Sequence, residues 1–150
     1  MSNITVIIPV HTAKNNTETY LKKAVESVAN QNTTPKELLV VHSTETELKE
    51  LLTSFDWGKT KDYVRLVEND GNTSFQGQIN KGVEETTTEY FTFLECDDEL
   101  SNIWLESGEE YISHYPEVGV FLPIVFETNT EGQFISFTNE AVWAKDFSEE

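Results

Sequence analysis

The sequence predicts an α/β protein with a mostly parallel central sheet, and three observations carry that expectation. Runs rich in β-branched residues alternate with stretches of helical periodicity up to about residue 115. The first two runs, Ile4-Thr5-Val6-Ile7-Ile8-Pro9-Val10 and Glu37-Leu38-Leu39-Val40-Val41, are almost continuously apolar, as in strands buried on both faces. The 150 residues show no linker, internal repeat or low-complexity tract, so one domain spanning residues 1–150 is expected.

The first strand should stop near Pro9, which cannot donate to a ladder. A polar loop over 11–16 follows. Tyr20, Leu21, Ala24, Val25, Val28 and Ala29 then recur at 3–4 spacing, which predicts a helix from Thr17 with that face buried, ending within 31–35. After the second strand, Thr44-x-x-Glu47 reads as a capping box ahead of Leu48, Leu51, Leu52 and Phe55. Residues 63–68 read as a third strand, and Asn69-Asp70-Gly71-Asn72 as a turn. Phe75, Ile79 and Val83 mark one stripe of a further helix. Tyr90-Phe91-Thr92-Phe93-Leu94 is a fourth strand. Ser101 is placed to cap a helix carrying Trp104, Leu105, Tyr111, Ile112 and Tyr115. Residues 118–125 and 134–137 look like additional strands. In such sheets ligands bind beyond the carboxyl ends of the strands, where the strand order reverses. The loops beginning at His11, His42, Asn69 and Glu95 are therefore the places to look for a site.

Twenty-seven acidic and 10 basic side chains give a formal charge of −17, and Arg65 is the only arginine. That balance excludes a nucleic-acid binder working through a basic face and argues against docking on anionic lipid. Apolar residues at 37% and aromatics at 11% exceed what a disordered acidic chain carries. A single cysteine, Cys96, excludes an internal disulfide and a cysteine zinc site. The amino-terminal residues lack a signal-peptide pattern and no apolar run could span a bilayer, so a cytoplasmic location without membrane insertion is expected.

The sharpest chemical feature is Glu95-Cys96-Asp97-Asp98-Glu99, four carboxylates within five positions after a buried strand. If the extended geometry persists, Glu95 and Asp97 project to the same side. Two converging carboxylates make a hard oxygen site suited to Mg²⁺ or Mn²⁺. Such an ion would offset the charge of a diphosphate in a chain with little else to do so. The competing reading is an acidic turn whose charges favour the dipole of the next helix. Cys96, surrounded by carboxylates, reads as a small packing residue with a dulled thiol. His11, His42 and His114 share no metal-ligand spacing. Trp57, Trp104 and Trp143 could stack on a sugar, with core packing the plainer use. Serine-hydrolase, dinucleotide and P-loop motifs are absent from the sequence.

Five landmarks in order resemble family-2 glycosyltransferases of the GT-A fold. They are the opening strand, Ser27-Val28-Ala29-Asn30-Gln31, the second strand, Asn69-x-Gly71 with Gln78-Ile79-Asn80-Lys81-Gly82-Val83, and the strand that ends in Glu95-Cys96-Asp97-Asp98. The resemblance implies a three-layer α/β/α GT-A (nucleotide-diphospho-sugar transferase) fold. It implies a nucleotide-binding half over 1–100 and the start of an acceptor half over 101–150. Pro9, Val10, His11 and Thr12 would border the base, with His42 at the end of the neighbouring strand. Glu95 would lie near the ribose and metal, with Cys96 beside it, and Asp97 would hold the Mg²⁺ or Mn²⁺ on the diphosphate. Asn80 would pack beside the nucleotide or serve in helix packing. The implied activity is inverting transfer of a sugar from a nucleotide-sugar donor to an unknown acceptor. The chain departs from the family pattern in two places: Val41-His42-Ser43-Thr44 lacks the usual aspartate, and Glu95 replaces the first aspartate of the motif. A catalytic base is not assigned; Glu140, in Asn139-Glu140-Ala141-Val142-Trp143, is the nearest candidate. The alternative is a catalytically inactive GT-A module serving as a binding or structural part of a larger protein assembly. A third reading takes the chain as the amino-terminal part of a longer protein.

Overall fold

The computed structural model describes residues 2–14 and 16–137. It forms two compact units, the first ending at His114 and the second beginning at Tyr115. In the first unit, β1 (Ile4–Val10), β2 (Glu37–Ser43), β3 (Val64–Asn69) and β4 (Tyr90–Phe93) alternate with α1 (Thr17–Ala29), α2 (Thr46–Ser54), α3 (Phe75–Glu85) and α4 (Trp104–His114). The strands form one parallel sheet in the order β3-β2-β1-β4. The chain steps outward from β1 to β3, then returns to the other side of β1. The strand order therefore reverses between β1 and β4.

All seven residues of β1 are buried, which accounts for their unbroken apolar character. Pro9 sits opposite Val41, and the strand runs one residue past it. Alternation divides the sheet into two faces. Val6, Ile8, Val10, Leu38 and Val40 share one core with Leu21, Ala24, Val25 and Val28 of α1, Leu48 and Leu52 of α2, and Leu105 of α4. Ile7, Leu39, Val41 and Val67 form a second, smaller cluster on the face covered by α3. Each fully buried leucine or isoleucine stabilises the fold by about 1.5–3 kcal/mol relative to exposure.

Several local expectations need correction. Tyr20 is 36% exposed rather than part of the buried face of α1. The capping box does not form: α2 starts at Thr46, and its N-cap, Glu45, makes no side-chain capping bond. β2 ends at Ser43, paired with Asn69, and the helix begins three residues later, so Thr44 lies two positions ahead of the first helical residue instead of at the cap. In α3 the stripe of Phe75, Ile79 and Val83 is not the packed face; Phe75 and Val83 are 41% and 38% exposed, and Gly77, Gln78 and Gly82 are buried. A Cβ at Gly82 would lie 2.6 Å from Ile7 Cγ2 and 3.2 Å from Val41 Cγ2. The helix approaches the sheet so closely that only glycine fits there. Gln78 is fully buried, and its Oε1 accepts from Asn69 Nδ2 at 3.3 Å.

Strand β4 ends at Phe93, one residue earlier than expected. Trp57 packs against Phe55 with ring centroids 4.6 Å apart, and Trp104 is half-buried with Nε1 donating to Thr92 Oγ1 at 3.3 Å. Tyr111 and Tyr115 are about half exposed, at 54% and 49%. Trp143 and Glu140 lie outside the described residues. In the second unit, β5 (Phe126–Thr128) pairs antiparallel with β6 (Phe134–Phe137). Residues 118–125 form no strand: Gly119 and Pro123 interrupt the run, and proline removes a ladder donor. No helix among the described residues is long and apolar enough to cross a membrane.

Candidate functional site

The reversal between β1 and β4 places two loops side by side at the carboxyl edge of the sheet. They frame an open cleft of about 500 Å³ lined by Thr12, Lys14, Asn16, Thr17, Tyr20, Cys96 and Asp97. This is where a parallel sheet of this topology binds ligands.

The loop after β1 is held by hydroxyl groups behind it. Ser43 Oγ, at the end of β2, donates to the His11 carbonyl at 3.0 Å. The buried Thr17 hydroxyl, at the start of α1, reaches the Thr12 carbonyl at 2.8 Å and also the Lys14 carbonyl. Asn16 takes a left-handed conformation with φ 64°, which asparagine tolerates better than most residues. The Glu45 carboxylate accepts from the Thr12 side chain and the Ala13 N–H, with Lys14 nearby, and is held below its ordinary pKa mainly by the Thr12 bond.

The loop after β4 is a charged turn. Leu94 N–H still bonds the Ile7 carbonyl at 2.9 Å, and Asp98 N–H then closes onto the Glu95 carbonyl at 3.1 Å. The extended geometry expected to align Glu95 with Asp97 therefore gives way to a turn. Glu95 is exposed, and its pKa is raised by partial burial, then by the charges of Asp98 and Asp97. Burial first, and Asp97 next, push the Cys96 thiol up to about 11. That thiol is inert at neutral pH, consistent with a packing residue.

Of the residues singled out from the sequence, Thr12, Cys96 and Asp97 line the cleft. Pro9 and Val10 are buried in β1, and His11 is exposed in the loop that follows. His42 is buried, with Nδ1 2.8 Å from the Ser43 carbonyl. Asn80 is exposed on α3. Glu95 belongs to the acidic turn beside the cleft. Lys14, Asn16, Thr17 and Tyr20 were not picked out from the sequence. Tyr20 carried a misleading signal, because its helical spacing matched the apolar face. Arg65 is engaged elsewhere: Nε meets Glu37 Oε1 at 2.6 Å, and the guanidinium also bonds the Glu85 side chain and carbonyl. Among the described residues, no three His, Cys, Asp or Glu side chains gather into a preformed cation site.

Parallel topology, a cleft at the reversal and an acidic turn on its rim define a GT-A-type α/β domain, and solved structures agree. The chain matches residues 1–349 of TarS from S. aureus, crystallised with UDP-GlcNAc, with TM-score 0.56 and 20% identity over 82% of this chain and 37% of that one. It matches the mannosyltransferase PcManGT from Pyrobaculum calidifontis, in complex with GDP-Man and Mn²⁺, with TM-score 0.60 and 18% identity over 75% of this chain and 32% of that one. The family model for glycosyl transferase family 2 matches residues 5–148, and the chain belongs to that family. One relative, the teichoic acid poly(glycerol phosphate) polymerase of Staphylococcus epidermidis, is 28% identical over 138 residues. Those residues cover 90% of this chain and 18% of that protein, so the chain spans less than a fifth of its length.

Proposed function

We propose that the cleft binds a nucleotide-sugar with a divalent cation and that the protein passes the sugar to an acceptor. The observation that carries this reading is the placement of Asp97 on the wall of the cleft at the strand-order reversal. Thr12 and the His11 loop would face the base, Tyr20 would offer an aromatic surface, and Asp97 with Glu95 would hold Mg²⁺ or Mn²⁺. These residues suit that role. Mg²⁺ is commonly held by one or two carboxylates together with substrate phosphates; partial burial first, and then the charges of Asp98 and Asp97, raise the Glu95 pKa, and a cation would offset the charge contribution. When bound, the ion would supply Lewis-acid stabilisation of the departing diphosphate. The single arginine is engaged at the β3–α3 side of the sheet, and Lys14 is the cationic side chain on the cleft wall. In this reading residues 1–100 carry the donor site and 101–150 begin the acceptor part.

Calorimetric titration of the chain with UDP-GlcNAc and with GDP-mannose, each with and without Mn²⁺, tests the proposal. Binding heat that depends on Mn²⁺ is expected. No heat with either donor would contradict it and favour the inactive-module reading.

A further inference from the structure

Resting on the donor reading above, we propose that Ser27 and Gln31 are positioning residues that hold the acidic turn against the cleft. The turn comprises residues 95–99. On its upstream side it is tied to the sheet by Leu94 N–H on the Ile7 carbonyl at 2.9 Å. Its downstream tie comes from Ser27 in the last turn of α1 and from Gln31, the residue after that helix's C-cap. Ser27 Oγ accepts from Leu100 N–H at 3.1 Å and donates to the Ala24 carbonyl at 2.7 Å. Gln31 is 9% exposed, and its amide is used on both sides. Nε2 donates to the Ser101 carbonyl at 2.6 Å and to the Ser27 carbonyl at 3.1 Å, and Oε1 accepts from Leu105 N–H at 3.0 Å.

That last bond satisfies one of the amide groups left free at the start of α4. Two side chains four residues apart therefore secure Leu100, Ser101 and Leu105, and the five residues carrying Glu95 and Asp97 are pinned at both ends. A short span closed at both ends has little freedom left to lose on binding. Ser27 lies in the last turn of α1 and Gln31 just past its C-cap, Asn30, and both side chains reach the segment running from the acidic turn into α4. Neither side chain lines the cleft, so each acts on the site only through the turn.

The test uses Cys96, the only cysteine of the chain, as a reporter inside the turn. Ser27→Ala and Gln31→Glu are compared with wild type, with melting temperature recorded. Gln31→Glu keeps the acceptor for Leu105 and loses the donor to Ser101. Thr53→Ala, which removes an exposed hydroxyl bonded to the Lys49 carbonyl, is the control. In both positioning variants, iodoacetamide should label Cys96 at least about fivefold faster in the folded protein. Affinity for UDP-GlcNAc or GDP-mannose with Mn²⁺ should fall about tenfold, the low end of the range for groups that orient ligands indirectly. Thr53→Ala should change neither. If Gln31→Glu fails to fold, Ser27→Ala alone carries both readouts. Unchanged labelling in the folded variants overturns the proposal, as does faster labelling with wild-type affinity. If wild type binds no donor, the donor reading falls and this role falls with it. If wild type binds and the variants match it, this role alone falls.

Discussion

The two loops that frame the cleft are built on opposite principles. The loop after β1 is fully tied: serine and threonine hydroxyls clip its carbonyls from behind and the Glu45 carboxylate takes the Thr12 side chain and the Ala13 N–H, so its shape is set before any ligand arrives. The loop after β4 is anchored at its ends but crowded in the middle, where partial burial and then the charges of Asp98 and Asp97 raise the cost of ionising Glu95. The difference teaches that one wall is pre-shaped and the other carries stored repulsion, which a cation can discharge.

The largest expected effect comes from the sheet beneath the first loop. Gly82→Val forces a side chain into Ile7 and Val41 and should cost about 1–3 kcal/mol, read as a fall of several degrees in Tm. Cys96 labelling should stay slow in that variant if the two loops are independent. An intermediate effect is expected at Cys96 itself. With its pKa near 11, about one thiol in ten thousand is ionised at pH 7, against about three in a hundred for an ordinary cysteine. Alkylation should be correspondingly slow at pH 7 and climb up to about pH 11. Asp97→Asn should speed it, and an ordinary rate at pH 7 would contradict the packing assigned to this residue.

The smallest effect is at Glu95. A carboxyl whose pKa is raised in the folded state favours its protonated form, so ionisation weakens the fold as pH rises from the ordinary carboxylate range through the raised value. Glu95→Gln should therefore raise Tm slightly at pH 7 and change nothing below about pH 3, where the glutamate is protonated folded or unfolded. A destabilised variant at pH 7 would show that Glu95 has a favourable partner instead of the repulsion described.

Much of the architecture was legible because the buried strands repeat one simple physical pattern. Ile4–Val10, the Leu21, Ala24, Val25 and Val28 face of α1 and the leucines of α2 follow directly from burial. The reading failed on α3, where close approach required Gly77 and Gly82 and pushed Phe75 and Val83 outward. A hydrophobic stripe cannot announce a face packed through glycine. At the cleft, Asp97 and Thr12 could be picked out from motif and position, because a strand end followed by carboxylates is unusual. Lys14, Asn16 and Thr17 could not, since their placement depends on a turn and on bonds to backbone carbonyls. The function of Ser27 and Gln31 was hidden for the same reason: their partners lie 70 and more residues away.

The most direct measurement is a side-by-side titration of wild type and Asp97→Asn with one nucleotide-sugar across a range of Mn²⁺ concentrations. Wild-type affinity should rise with Mn²⁺, and the variant, while folding normally, should lose about tenfold or more and no longer respond to the ion. Equal affinity and equal Mn²⁺ dependence in the two proteins would contradict the role given to the acidic turn.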